Sequence, residues 1–145
     1  EFSGTSSSSD DAAVEIGIAD SEVLNSTTML TAFKNKMIAK DSNVTNSLWL
    51  DNDNDTISAY YYPPNDNING VDTVDMMVSS SHGNNGVIAF GNDRVYGKDL
   101  ILGDRDIEWL VMNACQTIDV NNYVNDWGNA FHGLHMILGF WSFSS

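Results

Sequence analysis

Apolar residues alternate along "AAVEIGIAD" (12–20), with Val14, Ile16 and Ile18 on one side, the period of a β-strand. Over 26–40, "STTMLTAFKNKMIAK", the spacing changes. Met29, Leu30, Phe33, Met37 and Ile38 fall on one stripe of a helix, with Ser26 or Thr27 as the N-cap. Lys34, Lys36 and Lys40 lie toward the end where the helix dipole favours cations. The segment 46–67 is mixed. A short apolar piece runs into an acidic loop, "TISAYYY" reads as a strand or packed extended segment, and Pro63 and Pro64 close it.

From 70 to 83, "GVDTVDMMVSSSHG" grows apolar toward its end, as a buried parallel strand does. Two short β-like pieces flank Gly-Asn-Asp in "GVIAFGNDRVYG" (86–97), which predicts a hairpin. After a connection at 98–106, "IEWLVMNACQT" (107–117) predicts a second buried strand. "NDWGNAFHGL" (125–134) reads as a short helix and "HMILGFWS" (135–142) as a third apolar strand, central in the sheet. Strands alternating with connections and helices predict an α/β fold, a three-layer sandwich around a mostly parallel sheet.

At 145 residues the chain is long enough for one domain, placed at 12–145. "EFSGTSSSSDD" (1–11) reads as a disordered or processed tail, a cloning scar or a linker. The 20 acidic residues against 6 Lys and Arg, a formal charge of -14, argue against nucleic acid and anionic membrane surfaces as partners. A cation-rich setting, high salt or calcium, would relieve that repulsion. The single cysteine excludes an internal disulfide framework and a Cys-rich zinc site. Asn-x-Ser/Thr triplets at Asn25, Asn43 and Asn54 point to an extracellular or cell-surface protein.

Two of the apolar runs end on chemically able side chains. "MMVSSSHG" ends on His82 and Gly83, and "WLVMNACQT" ends at Cys115. In an open α/β sheet, sites form at the carboxyl ends of strands. The residues His82 and Cys115 are 115 − 82 = 33 positions apart, room for one crossover. A thiol needs a base or an electropositive neighbour to become a thiolate, and His82 can supply it. Gly83 can bring its N–H close to a substrate carbonyl, and with the Cys115 N–H it could form an oxyanion hole.

"SSSHG", "LVMNACQT" and "WGNAFHGLHMILGFWS" together resemble the caspase-like cysteine peptidases, the superfamily of caspases, gingipains, legumains and CHAT domains. More closely, "VDMMVSSSHG", "EWLVMNACQT" and "AFHGLHMILGF" look like the uncharacterised family DUF6345, over residues 70–142. The resemblance implies a caspase-like fold with His82 as general base, Cys115 as nucleophile and a peptide or protein substrate, self-processing included. Many relatives bind a basic substrate side chain with an acidic residue; Asp75 and Asp119 lie close in sequence to the pair. The competing expectation is a catalytically silent extracellular binding or structural module of the same fold, assembling into a larger array.

Asp51, Asp53 and Asp55 alternate in "DNDNDT" as the ligands of a calcium loop begin, with Asn65, Asp66 and Asn67 able to add oxygens. Thr56 and Tyr62 stand where an EF-hand needs Gly and Glu, so the expected site is not an EF-hand. His132 and His135 have no further His or Cys nearby and are expected to pack rather than bind zinc; no cofactor is required. Tyr60, Tyr61 and Tyr62 and the tryptophans could stack on sugars, but core positions are expected for them.

Overall fold

The computed structural model describes residues 14–21, 25–51 and 57–142; the tail at 1–11 and Asn54 lie outside them. In chain order the strands are β1 (Val14–Asp20), β2 (Val44–Asp51), β3 (Met76–Ser80), β4 (His82–Asn84), β5 (Val87–Phe90), β6 (Asp93–Tyr96), β7 (Trp109–Asn113) and β8 (Met136–Leu138). The helices are α1 (Ser26–Lys40), α2 (Asp66–Asn69) and α3 (Tyr123–Trp127). Five strands form one sheet in the order β2-β1-β3-β7-β8, every neighbouring pair parallel. The hairpin β5–β6 continues into β4 as a separate antiparallel sheet, order β4-β5-β6.

Sheet order explains the layers. The step from β1 to β2 runs one way across the sheet, while the steps from β2 to β3, β3 to β7 and β7 to β8 run the other way. Right-handed crossovers put connections of opposite direction on opposite faces. Accordingly, among the described residues, α1 alone packs on one face, burying Leu30 against Ile16, Ile18, Val44 and Val78. The other connections all pack on the second face, where Ile57, Tyr61, Phe90, Leu100, Ile107 and Trp127 join Met77, Leu110 and Met112 in the larger core. This is an α/β three-layer sandwich. Among the described residues no helix is long and apolar enough to cross a membrane.

Four local readings change. "TISAYYY" is a short 3-10 helix at Ile57–Tyr61, not a strand, because Ile57 and Tyr61 then fall together into the core. Neither Ser26 nor Thr27 caps α1: Asn25, in left-handed backbone (φ 66), precedes the helix. Their hydroxyls instead donate to the buried Asp20 carboxylate, each at 2.5 Å, since a charged acceptor forms the stronger bond. β8 is an edge strand rather than a central one. Its apolar run led to the central reading, yet Met136 and Leu138 are 42% and 50% exposed. Within 125–134, helix continues only as a 3-10 turn at Gly128–Ala130.

Asp72, buried just before β3, holds the approach to β7. Its carboxylate accepts N–H bonds from Gly103, Asp106 and Ile107 at 2.8 to 3.2 Å. Burial, first, and the neighbouring Asp104 carboxyl push Asp72 up to about 6, against the pull of those N–H groups. A folded-state pKa raised above the unfolded one contributes stability that is full below the unfolded value of 3.8 and lost as pH rises through about 6. Thermal melts should therefore show the wild type gaining on Asp72→Asn by a few degrees, about 1 kcal/mol or more, as pH falls from neutral through 6 to 4. Parallel curves for the two proteins would refute this role.

Candidate functional site

β3 and β7 are adjacent, and Ser80 lies opposite Asn113 at their carboxyl ends. His82 and Cys115 each stand two residues beyond that pair, so the sheet delivers both to one edge. The chain reaches them through small polar residues. Ser79, Ser80 and Ser81 are buried, where a larger polar side chain would need more partners. Ser79 Oγ donates to the Val111 carbonyl at 3.3 Å, Ser80 Oγ accepts from Asn113 Nδ2 at 3.2 Å, and Ser81 Oγ donates to the His82 carbonyl at 3.0 Å. The Ser81 N–H also donates to the Asn113 carbonyl, carrying the pairing one step past the strands.

Beyond that step the two chains part. His82 opens β4 and is exposed; Cys115 is half-buried. Gly83 keeps them together. A Cβ on Gly83 would lie 2.5 Å from the Cys115 carbonyl oxygen and 2.9 Å from Ala114 Cβ. The missing side chain thus makes room for the turn that carries Cys115, not for a substrate group on that side. The Gly83 N–H has another direction. Asn84 pairs with Val87 across a two-residue turn and is a hydrogen-bonded pair, so Gly83, opposite Ile88, is a non-bonded one. Its N–H therefore points away from β5, on the outer edge of β4.

The turn after Cys115 is held on several sides. Gln116 has left-handed backbone (φ 51), unusual for a non-glycine, and its N–H donates to the Ser142 carbonyl. Thr117 is fully buried. Its carbonyl accepts from Trp127 Nε1 at 2.7 Å and from the Gly86 N–H at 3.3 Å. Its hydroxyl donates to the Ala114 carbonyl and accepts the Phe140 N–H. One residue thus fastens the turn to the β4–β5 turn, to α3 and to the segment after β8. Nothing in the sequence distinguished Thr117 or Trp127 as supports, because their partners are 10 to 31 positions away. Asn113, directly before "ACQT", was the readable signal: a polar residue ending an apolar run.

Other expected residues go elsewhere. Asp75 lies at the amino end of β3, the opposite edge, where it accepts the Glu15 N–H. Asp119 is half-buried and occupied by Asn121 and Asn122, whose backbone N–H and side-chain amide hold its carboxyl below the usual range. Asp20 is a buried carboxylate at this same carboxyl edge, beside Ser80, and ties the start of α1 to the end of β1. Asp53 and Asp55 lie outside the described residues, and Asp51 is the last residue of β2. Among the described residues no three His, Cys, Asp or Glu side chains are placed to hold a metal ion. His132 and His135 are exposed, with His135 Nδ1 3.9 Å from Glu108 Oε1. Tyr61 and Trp127 are core residues, but Trp109 and Trp141 are exposed, contrary to the core positions expected of the tryptophans.

A family model described as "Domain of unknown function (DUF6345)" matches residues 11–145. No curated protein and no solved structure matches the chain.

Thr117→Val keeps the side-chain volume and removes the hydroxyl from this buried network. Urea unfolding should register a loss of about 1–2 kcal/mol, with Cys115 becoming more reactive as its turn loosens. An unchanged urea midpoint would remove Thr117 from its supporting role.

Proposed function

The chain belongs to the DUF6345 family, and from that footing we propose that it is a secreted caspase-like cysteine peptidase acting through His82 and Cys115. One observation carries the reading: the Ser80–Asn113 register brings His82 and Cys115, the residues of the caspase-like resemblance, to the carboxyl edge of adjacent strands. On this reading the Gly83 N–H, lying in the part of β4 packed against the Cys115 turn, serves as one oxyanion donor.

In this mechanism the Cys115 thiolate attacks a peptide carbonyl carbon and the C–N bond breaks. The Gly83 and Cys115 N–H groups stabilise the oxyanion. His82 passes its proton to the leaving amine, then accepts one from the water that hydrolyses the thioester, and Cys115 is regenerated. Substrate is peptide or protein, including a second copy of the chain. Extracellular placement is favoured by two of the sequons: Asn25 and Asn43 both stand exposed at turns, where a glycan fits.

Iodoacetamide at neutral pH tests the pair. Cys115 should be alkylated rapidly, and His82→Ala should slow the alkylation and any peptide cleavage by about 10²-fold or more. An inert thiol, or one indifferent to His82→Ala, would overturn the peptidase reading. The acidic run Asp51, Asp53 and Asp55 carries a separate proposal of calcium binding. Melting temperature should rise with millimolar calcium and return with chelator, magnesium doing less. A melting curve insensitive to calcium rejects that site.

A further inference from the structure

Cα partners align the strands of the large sheet into rows. On the face that carries α1, one row runs Ile16, Met76, Trp109, Met136 and the next runs Ile18, Val78, Val111, Leu138. Exposure climbs along each row. Ile16 and Ile18 are fully buried beneath α1 and Val78 is 6% exposed, but Trp109 reaches 41%, Met136 42% and Leu138 50%. Among the described residues, the half of this face over β7 and β8 therefore has no covering layer. Crossover direction is the cause: every described connection that runs toward β8 packs on the opposite face. A layer missing for that reason has to come from a different part of the assembly.

The open area is a step-sided groove. Its floor is Trp109, Val111, Met136 and Leu138. Its wall is the flank of α1 that carries Met29, 41% exposed, whose Sδ lies 3.5 Å from Asn113 Nδ2 at the end of β7. The other side is the free edge of β8. Met136 donates its N–H back toward β7, to the Glu108 carbonyl, so the intervening Ile137 directs its backbone N–H and C=O outward. An open strand edge beside an exposed apolar strip is an unfinished surface.

We propose that a second copy of this chain fills the groove, the two β7–β8 half-faces stacking about a two-fold axis that runs along the strands. Sheets stack about 10 Å apart, and a helix lies about the same distance above a sheet. The α1 of each copy then stands level with the sheet of the other and comes alongside its open β8 edge. One operation thus covers both unfinished features. Charge favours the same occupant. Lys36 and Lys40 follow Met29 at i+7 and i+11 on the groove flank, while Lys34 turns the other way over Trp49 of β2, and α1 holds none of the twenty acidic residues. In a chain of net charge -14, the basic element is the one laid against the partner. Trp109, Met136, Leu138 and Met29, each 41% exposed or more, form with the α1 flank and the strand edge a patch suited to a weak, reversible dimer.

Sedimentation of the full chain over micromolar to millimolar concentration tests this. A reversible monomer–dimer equilibrium is expected. Leu138→Lys should weaken it by about tenfold or more, as two buried cations would face one apolar floor. Both Leu138 and Met136 are half exposed in the single chain, so far-UV circular dichroism should be unchanged; Met136→Lys stands in should Leu138→Lys misfold. Val124→Lys, on α3 at 64% exposure and outside the groove, should leave the equilibrium as it is. A monomer at every concentration overturns the proposal and leaves the face to another partner. A dimer untouched by Leu138→Lys and Met136→Lys, or broken equally by Val124→Lys, overturns it too.

Discussion

The pairing of β3 with β7 is the constraint on which the molecule turns. Met77 and Leu110 face one core while Val78 and Val111 face the other, so a slip of one residue would invert both strands at once. The same register sets how far each chain travels before it leaves the sheet. Site geometry is therefore inherited from core packing: two hydrophobic layers fix where His82 and Cys115 emerge. The serines before His82 fit that demand, because they end the strand with buried hydrogen bonds and not with bulk.

Once past the sheet, the two chains need a second means of alignment, and backbone packing provides it. Gly83 admits the Cys115 turn at van der Waals range, and Thr117 secures that turn to three separate elements. The turn behind the edge is thus held by several buried hydrogen bonds. Asp20 belongs to the rigid part, spending its carboxylate on the hydroxyls at the start of α1.

Patterning in the sequence was enough for the α/β class, for α1 to its first and last residue, for β3, the β5–β6 hairpin and β7, and for strands that end just before His82 and Cys115. Those features rest on periodicity and on local turn residues, which neighbours in the chain determine. What escaped depends on distant partners. β8 is as apolar as a central strand, and only the sheet order makes it an edge. Ile57–Tyr61 has the β-rich composition of a strand but finds its burial as a 3-10 turn. Gly83 read as space for a substrate, and the space proved to belong to the protein's own carbonyl. Asp72 and Thr117 look ordinary until the segments they bind arrive.

The all-parallel sheet also governs how the molecule must assemble itself. Val14 has to find Val44, Ile16 to find Met76, Met76 to find Trp109, and Trp109 to find Met136. Every one of these contacts closes a long loop before it gains any pairing energy, so folding starts against a steep entropic slope. The β5–β6 hairpin is the exception, joined by a turn that forms on the microsecond scale, and its Ile88, Phe90 and Val95 already belong to the larger core. That small antiparallel sheet is the natural seed, and the chain between β3 and β7 would fold around it before either strand has a permanent neighbour.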